Sequence, residues 1–83
     1  MAQNIDREAI AIGRAARGAI ATAGLSLAEA AAATGITLST MSRRVNGTLP
    51  FTFPELVRLA GACGVRVSDI AASAERILDK AAA

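Results

Sequence analysis

The chain lacks most of the side chains that carry enzyme chemistry. Its 83 residues include no histidine, tryptophan or tyrosine and a single cysteine, Cys63. Without histidine and with one thiol, the chain can form no histidine-dependent triad, no histidine/cysteine metal site and no internal disulfide. The acidic residues fall at predicted helix starts or in the C-terminal segment, and they do not pair into a catalytic site. The sequence therefore predicts a protein that is not an enzyme and that uses no metal and no cofactor.

Long apolar runs are also missing. Arginine or an acidic residue interrupts each apolar stretch before it reaches the roughly 18 residues that a membrane span needs. The N-terminus, residues 1–7, is polar and contains an acid, so it does not resemble a secretory signal. One free thiol fits a reducing compartment. We expect no membrane association and a cytoplasmic location, in a bacterium or in the host cell if the chain is phage-encoded.

Alanine dominates what is present. It supplies 21 of the 83 residues, whereas aromatic residues make up 2%. Alanine has the highest helix propensity, and a β-sandwich would need more β-branched and aromatic side chains. The length and composition predict an all-α fold with one domain over residues 1–83. The net charge of +2 is weak evidence for a nucleic-acid partner, and the placement of the arginines is more informative.

Capping residues and glycines divide the chain into five predicted helices. The predicted helices span about residues 4–23, 26–34, 37–46 and 52–63, and the last begins near residue 68. Their predicted N-caps are Asn4 or Asp6, Ser26, Thr37, Thr52 and Ser68. Glu29 and Glu55 each follow a cap by three residues and complete capping boxes. The Gly24, Gly35 and Gly64 positions are typical helix ends.

The third predicted helix has two distinct faces. Its apolar positions follow helical spacing and are Leu38, Met41 and Val45. Its polar positions follow the same spacing and are Ser39, Ser42, Arg43 and Asn46. An ordinary solvated face mixes glutamate with lysine, whereas this face carries hydrogen-bond donors and no acid. The plain interpretation is still a solvated face, and the missing glutamate is atypical of one.

The second and third predicted helices form a helix-turn-helix over about residues 26–46. Two helices that cross closely need a small residue at the crossing, which Ala31 supplies. A tight turn needs a residue that tolerates positive φ, and Gly35 fits that position. Met41 is then the apolar residue that fills the wedge between the helices. We expect Ala31 and Met41 to be buried and Arg43 to be exposed.

An ordered set of motifs resembles the lambda repressor/Cro superfamily of five-helix DNA-binding domains. The resemblance covers about residues 9–72. The motifs that carry it are Gly24-Leu25-Ser26, Ala30-Ala31, Gly35-Ile36, Ser39-Thr40-Met41-Ser42-Arg43, Asn46-Gly47, Leu59-Ala60, Gly64-Val65 and Val67-Ser68-Asp69-Ile70. The resemblance implies a compact five-helix fold whose third helix enters the major groove of double-stranded DNA.

The resemblance also implies which residues meet DNA. The matching base-facing positions are Leu38, Ser39, Ser42 and Arg43. Arg43 is the strongest of them, because a guanidinium can grip the O6 and N7 atoms of a guanine with two bonds. Leu38 has two interpretations, contact with a thymine methyl group or packing against the preceding helix. The positions implied for phosphate contact are Ser26, Leu27, Thr37, Thr40, Arg44, Asn46, Thr48 and Thr52.

The sequence departs from the family pattern at two places. Arg44 stands where the family usually has an aliphatic residue, and we expect it to send its head group to a phosphate or to lie on a solvated flank. Ile20 and Val45 stand where many relatives hold an arginine and a glutamate that form an ion pair. We interpret these two residues as an apolar contact that replaces the ion pair between the first and third helices.

The leading functional hypothesis is a transcriptional regulator, a phage or prophage repressor or a Cro-like protein, that occupies a DNA operator. One alternative is an antitoxin that binds both its own promoter and a toxin. Another is a protein-interaction module that kept the fold without DNA binding. Ile77 and Leu78 on the last helix are the candidate self-association surface. Their patch is small, so we expect a monomer or a weak dimer in free solution.

Overall fold

The computed structural model describes residues 6–82, which form five α-helices and no strand. The helices are α1 (Arg7–Thr22), α2 (Leu27–Thr34), α3 (Leu38–Asn46), α4 (Phe53–Cys63) and α5 (Val67–Ala82). The predicted all-α fold with five helices is confirmed. No helix in the described part of the chain is both long and apolar enough to cross a membrane.

The helix starts follow the predicted capping pattern in four of the five helices. The α1 helix is capped by Asp6, whose side chain accepts a hydrogen bond from the Ala9 N–H, while Asn4 lies outside the described residues. Both capping boxes form, at the start of α2 and at the start of α4. The Thr37 side chain caps α3.

The start of α5 corrects the prediction that Ser68 is its cap. The helix begins at Val67, so Ser68 already lies within its first turn. The carboxylate of Asp69 accepts a hydrogen bond from the Arg66 N–H at 2.8 Å. This bond satisfies the backbone N–H of Arg66, the residue just before the helix. The cap position is therefore Arg66, three residues before Asp69, and not Ser68.

Two clusters of buried residues make up the core. The first joins α1 to the helix-turn-helix and to α4, and it is formed by Ala16, Ile20, Ala30, Ala31, Ile36, Met41, Val45 and Leu59. The second joins α1, α4 and α5, and it is formed by Ala11, Ala15, Ala60, Ile70 and Ala74. Three of the five members of the second cluster are alanines of α1 or α4. Small side chains leave little volume between helices, so these helices pack closely.

The α1 helix lies against the backbone of α3. A Cβ atom added to Gly13 would come within 2.6 Å of the Val45 carbonyl oxygen and 2.8 Å of the Arg44 carbonyl oxygen. By helix propensity alone, Gly13 and Gly18 would both weaken α1, because glycine lowers helix stability. The structure supplies a reason for Gly13: any larger residue would push α3 away from α1.

The two glycines of α1 give a matched pair of substitutions. Gly13→Ala should lower the free energy of unfolding by about 1–3 kcal/mol, because its methyl group meets two fixed carbonyl oxygens. Gly18→Ala should raise it by up to about 1 kcal/mol, because nothing lies within 4 Å of its added Cβ and alanine favours the helix. Urea unfolding of both variants measures the difference. Equal effects at the two positions would contradict the close approach of α1 to α3.

Candidate nucleic-acid interface

The predicted helix-turn-helix is present in α2, the turn at residues 35–37 and α3. Gly35 ends α2 in the left-handed conformation with φ at 73°, and the Ile36 N–H then donates to the Ala31 carbonyl oxygen. Ala31 is 3% exposed and Met41 is fully buried, as predicted. Thr34, also buried, donates its hydroxyl to the Ala30 carbonyl oxygen, so it leaves no unsatisfied polar group in the wedge.

The outer face of α3 is exposed, donor-rich and without acidic residues. Ser39, Arg43 and Asn46 are exposed, and Ser42 is half-buried beside them. Leu38 is 51% exposed, so it does not join the buried stripe formed by the other two apolar positions. Its two interpretations, contact with a thymine methyl group and packing against the preceding helix, both stay predictions. An exposed leucine on this face is available to an apolar group of a partner.

Three cap hydroxyls lie at exposed helix starts. Ser26, Thr37 and Thr52 each accept a backbone N–H through a lone pair of the hydroxyl oxygen. The hydroxyl proton is still able to donate, which is what a phosphate oxygen requires. Leu27 is half-buried at the first position of α2, so its side chain contributes no polar group there. Thr40 is also half-buried.

Asn46 is held by an arginine of α1. The Arg17 guanidinium donates to the Asn46 side-chain oxygen at 2.8 Å. Because this bond uses the side-chain oxygen of Asn46, its amide N–H₂ group can still donate to a partner. The sequence analysis did not assign Arg17 a role. The signal that could have found it is spacing, because Arg17 lies one helical turn after Gly13 and on the same side of α1.

Arg44 is engaged within the protein. Its Nη1 donates to the Pro50 carbonyl oxygen at 2.8 Å, and its Nη2 forms an ion pair with Glu55 at 3.1 Å. The two side chains are 17% and 12% exposed. Neither sequence expectation describes this arrangement, since Arg44 neither lies on a solvated flank nor presents a free head group. The acid that binds Arg44 is three residues beyond the Thr52 cap, and no local pattern links it to an arginine eleven residues earlier.

Thr48 is also occupied by the protein. Its hydroxyl donates to the Arg43 carbonyl oxygen at 3.1 Å, and its backbone N–H donates to the same atom. These bonds satisfy a carbonyl that the end of α3 leaves free. The residue therefore terminates the third helix, and its donors are already used.

Ile20 and Val45 are both buried in the first core cluster, where they are 4% and 2% exposed. This burial agrees with an apolar join between α1 and α3 at the positions where relatives hold an ion pair. The described part of the chain also contains no group of three or more histidine, cysteine or acidic residues that could hold a metal ion. The site is thus a surface of hydrogen-bond donors and one exposed leucine.

This arrangement agrees with comparisons to known proteins. A family model described as a helix-turn-helix domain matches residues 11–72. The chain belongs to the helix-turn-helix domain family. The match begins within α1 and ends within α5, so the family covers every helix that builds the interface. The resemblance to the lambda repressor/Cro superfamily is confirmed.

Two crystal structures of the clp gene regulator ClgR from Corynebacterium glutamicum resemble this helix-turn-helix domain. One has a TM-score of 0.87 at 25% identity and covers 90% of this chain and 80% of the other. The second has a TM-score of 0.78 at 26% identity and covers 82% of this chain and 88% of the other. Among curated proteins no match was found. The shared fold extends over nearly the whole helix-turn-helix domain.

In the described part of the chain, three side chains have shifted pKa values, and Glu55 is the one that takes part in an ion pair. Partial burial raises the pKa of Glu55, but the Thr52 hydrogen bonds and the Arg44 charge outweigh it, so the pKa lies below its ordinary value. Hydrogen bonds from Ser26 lower the pKa of Glu29, which has no arginine beside it. Burial raises the pKa of the Cys63 thiol, which agrees with a small core residue rather than a reactive one.

Glu55→Gln should lower the free energy of unfolding by about 1.5–3 kcal/mol at neutral pH, because the Arg44 guanidinium loses its charged acceptor. The folded-state pKa of Glu55 lies below the ordinary value of 4.5, so its stabilisation is present above that pH. It is lost as the pH falls through the folded-state pKa. The difference between wild type and Glu55→Gln should therefore be constant near neutral pH and shrink in acid, as measured by urea unfolding.

Glu29→Gln is the matched control, because Glu29 also completes a capping box but has no ion-pair partner. It should cost less than Glu55→Gln. In an Arg44→Met background, where the ion pair is absent, Glu29→Gln and Glu55→Gln should lower the free energy of unfolding by similar amounts. Equal costs in the wild-type background would show that the ion pair adds nothing to the capping box.

Proposed function

We propose that the domain is a sequence-specific regulator of transcription that binds a double-stranded DNA operator and acts by occupying it, as a phage repressor or a Cro-like protein does. The observation that carries this proposal is the outer face of α3. It is exposed, rich in donors and free of acids, and it is presented by a helix-turn-helix. A helix of this kind fits the major groove, where base edges offer both acceptors and the thymine methyl group.

The base-reading residues of the proposal lie along one side of α3. Arg43 reads a guanine through two hydrogen bonds, and Leu38 at the start of the helix meets a thymine methyl group. Ser39 and Ser42 can donate or accept, so they adjust to the base that they face. The exposure of Leu38 supports its part in this surface, because a leucine in water gains from any apolar contact.

The phosphate-binding residues are the donors that the fold leaves unused. They are the hydroxyls of Ser26, Thr37 and Thr52, the side-chain amide of Asn46, and the first N–H groups of α2 at Leu27. We keep Thr40 as a further candidate and add Arg17, which holds Asn46 and is itself exposed.

Arg44 and Thr48 have a different role in the proposal. Arg44 uses its two terminal nitrogens within the protein and Thr48 uses its hydroxyl, so they position the segment between α3 and α4 and do not reach the phosphates directly. Arg44 binds Pro50 and Glu55 on opposite sides of Thr52. A fixed segment presents the Thr52 hydroxyl at one place relative to α3.

Two copies pair on DNA in this proposal and not in free solution. Ile77 and Leu78 are half-buried and already pack against the second core cluster. They leave less apolar surface for a partner than the roughly 800 Å² per copy of a standard interface. Pairing is then set by the operator, with two α3 helices one duplex turn apart.

Selection of bound sites from a random oligonucleotide pool tests the proposed function. We expect enrichment of a sequence with guanine at the position of Arg43, repeated as a palindrome where two copies bind. A pool that shows no enrichment at any salt concentration would leave the protein-interaction module as the function of this fold. Binding that includes a second protein encoded beside the chain would favour the antitoxin.

Arg43→Ala should lower affinity for the selected site by about 1–3 kcal/mol and relax the preference at one base pair. Arg43→Lys is the matched control, since it keeps the charge and loses the planar two-bond grip. It should therefore retain the salt dependence of binding and lose the base preference. If Arg43→Ala bound all sites as wild type does, α3 would not be the recognition helix.

Arg17→Ala should weaken binding to every sequence to a similar degree. It should also reduce the slope of log affinity against log salt by about 1, as expected for one lost phosphate contact. Arg14→Ala provides the control, because Arg14 is an exposed arginine of the same helix that faces α5. Electrophoretic shift at a series of salt concentrations measures both slopes. A steeper loss for Arg14→Ala would place the DNA on the other side of α1.

A further inference from the structure

An open groove of about 770 Å³ lies between α1 and α5, away from the outer face of α3. The two helices run antiparallel, because Thr22 lies opposite Val65 while Arg7 lies opposite Ala81. From Asp69 to Lys80 the groove follows twelve residues of α5, a length of about 16 Å at the helical rise. Its volume lies within the range of small-molecule sites.

The α1 wall of the groove consists of small side chains along most of its length, with Arg14 at one end. Ala15, Gly18 and Ala19 line one wall, and Ile70 and Ile77 line the other. A Cβ atom on Gly18 would meet nothing within 4 Å. Glycine in the middle of a helix costs about 1 kcal/mol relative to alanine, and no contact in the described part of the chain requires it at this position. The space above Gly18 is therefore left free at a cost in stability.

Positive charge gathers at one end of the groove. Arg14, Arg76 and Lys80 line it there, against one acid, Asp79. The ion pair found among residues 6–82 is the one between α3 and α4, so no carboxylate of these residues lies within 4 Å of the three cations. Arg76 donates only to the Ser73 hydroxyl on its own helix. An apolar trough that ends in unpaired cations matches a molecule with an apolar chain and an anionic head.

A second copy of the chain does not match the groove as well. In a two-fold dimer each copy must supply an apolar side chain that fills the groove of the other. The large apolar side chains that are exposed among residues 6–82 are Leu38, Phe53, Val57 and Val65. Of these only Val65 borders the groove, and it lies at the end away from the cations. A second copy would therefore bring no large apolar side chain that could fill the groove near its cationic end.

We propose that the groove between α1 and α5 binds a small anionic amphiphile, a carboxylate or related acid on a hydrocarbon chain. The chain lies between Gly18 and Ile77, and the acid group binds Arg14, Arg76 and Lys80. This binding site is separate from the DNA interface and goes beyond the proposed function, so either one can fail without the other.

Calorimetric titration with dodecanoate tests the site, and dodecyltrimethylammonium, which has the same chain and the opposite head charge, is the control ligand. We expect saturable binding of one dodecanoate per chain and no saturable binding of the cation. Arg76→Glu combined with Lys80→Glu should weaken dodecanoate binding about tenfold or more, because charge-assisted contacts are lost and repulsion is added.

Gly18→Leu should abolish dodecanoate binding by filling the groove. This variant should keep its fold, because the added side chain meets open space and leucine favours the helix. It should also keep its affinity for DNA. Unchanged dodecanoate affinity in Gly18→Leu, or in the double charge variant, would overturn the proposal. Sedimentation that shows a dimer of the free wild type, lost in Gly18→Leu, would assign the groove to a second copy and overturn it as well.

Discussion

The approach of α1 to α3 at Gly13 is the contact on which the interface depends. A recognition helix reads bases only if its backbone is held at one height and one angle to the rest of the domain. Here the helix backbone of α1 meets the carbonyl oxygens of Arg44 and Val45 with no side chain between them. The α1 helix also contacts the residue that follows α3, because a Cβ on Gly47 would come within 2.7 Å of Ile10. The third helix is nine residues long and is held at two points along its inner side.

Polar contacts hold the flanks of α3 where relatives use one ion pair. Ile20 and Val45 are buried, so the position of that pair is apolar in this chain. Two polar contacts orient α3 instead. Arg17 of α1 binds Asn46 of α3, and Arg44 of α3 binds Glu55 of α4. The exposed Arg17–Asn46 bond contributes little to stability, whereas the Arg44–Glu55 pair is largely buried and contributes more. Both restrict the directions in which their side chains can point. We interpret these bonds as positioning contacts for the two ends of the interface.

Local sequence patterns were sufficient for the helices and for the turn. Caps and glycines are local signals, and the wedge of Ala31, Gly35 and Met41 depends on spacing within eleven residues. The pairing of Arg44 with Glu55 could not be predicted in the same way. The two residues lie on different helices, and no local pattern around Arg44 identifies its partner. Likewise Gly13 and Gly18 are equivalent in the sequence, yet one faces a backbone and the other faces open space. Only the packing of α1 between α3 and α5 distinguishes them.

The α1 helix therefore carries two surfaces with different requirements. One surface, with Gly13 and Arg17, must stay fixed against α3 for any base to be read. The other, with Arg14 and Gly18, faces α5 across an open groove and is free of that requirement. Core packing tolerates little displacement, so even a small shift at Gly13 would disturb the recognition helix. At Gly18 an added Cβ meets nothing within 4 Å, so a side chain there fills the groove without displacing α1. Substitutions at Gly13 and at Gly18 therefore act on different surfaces of the same helix.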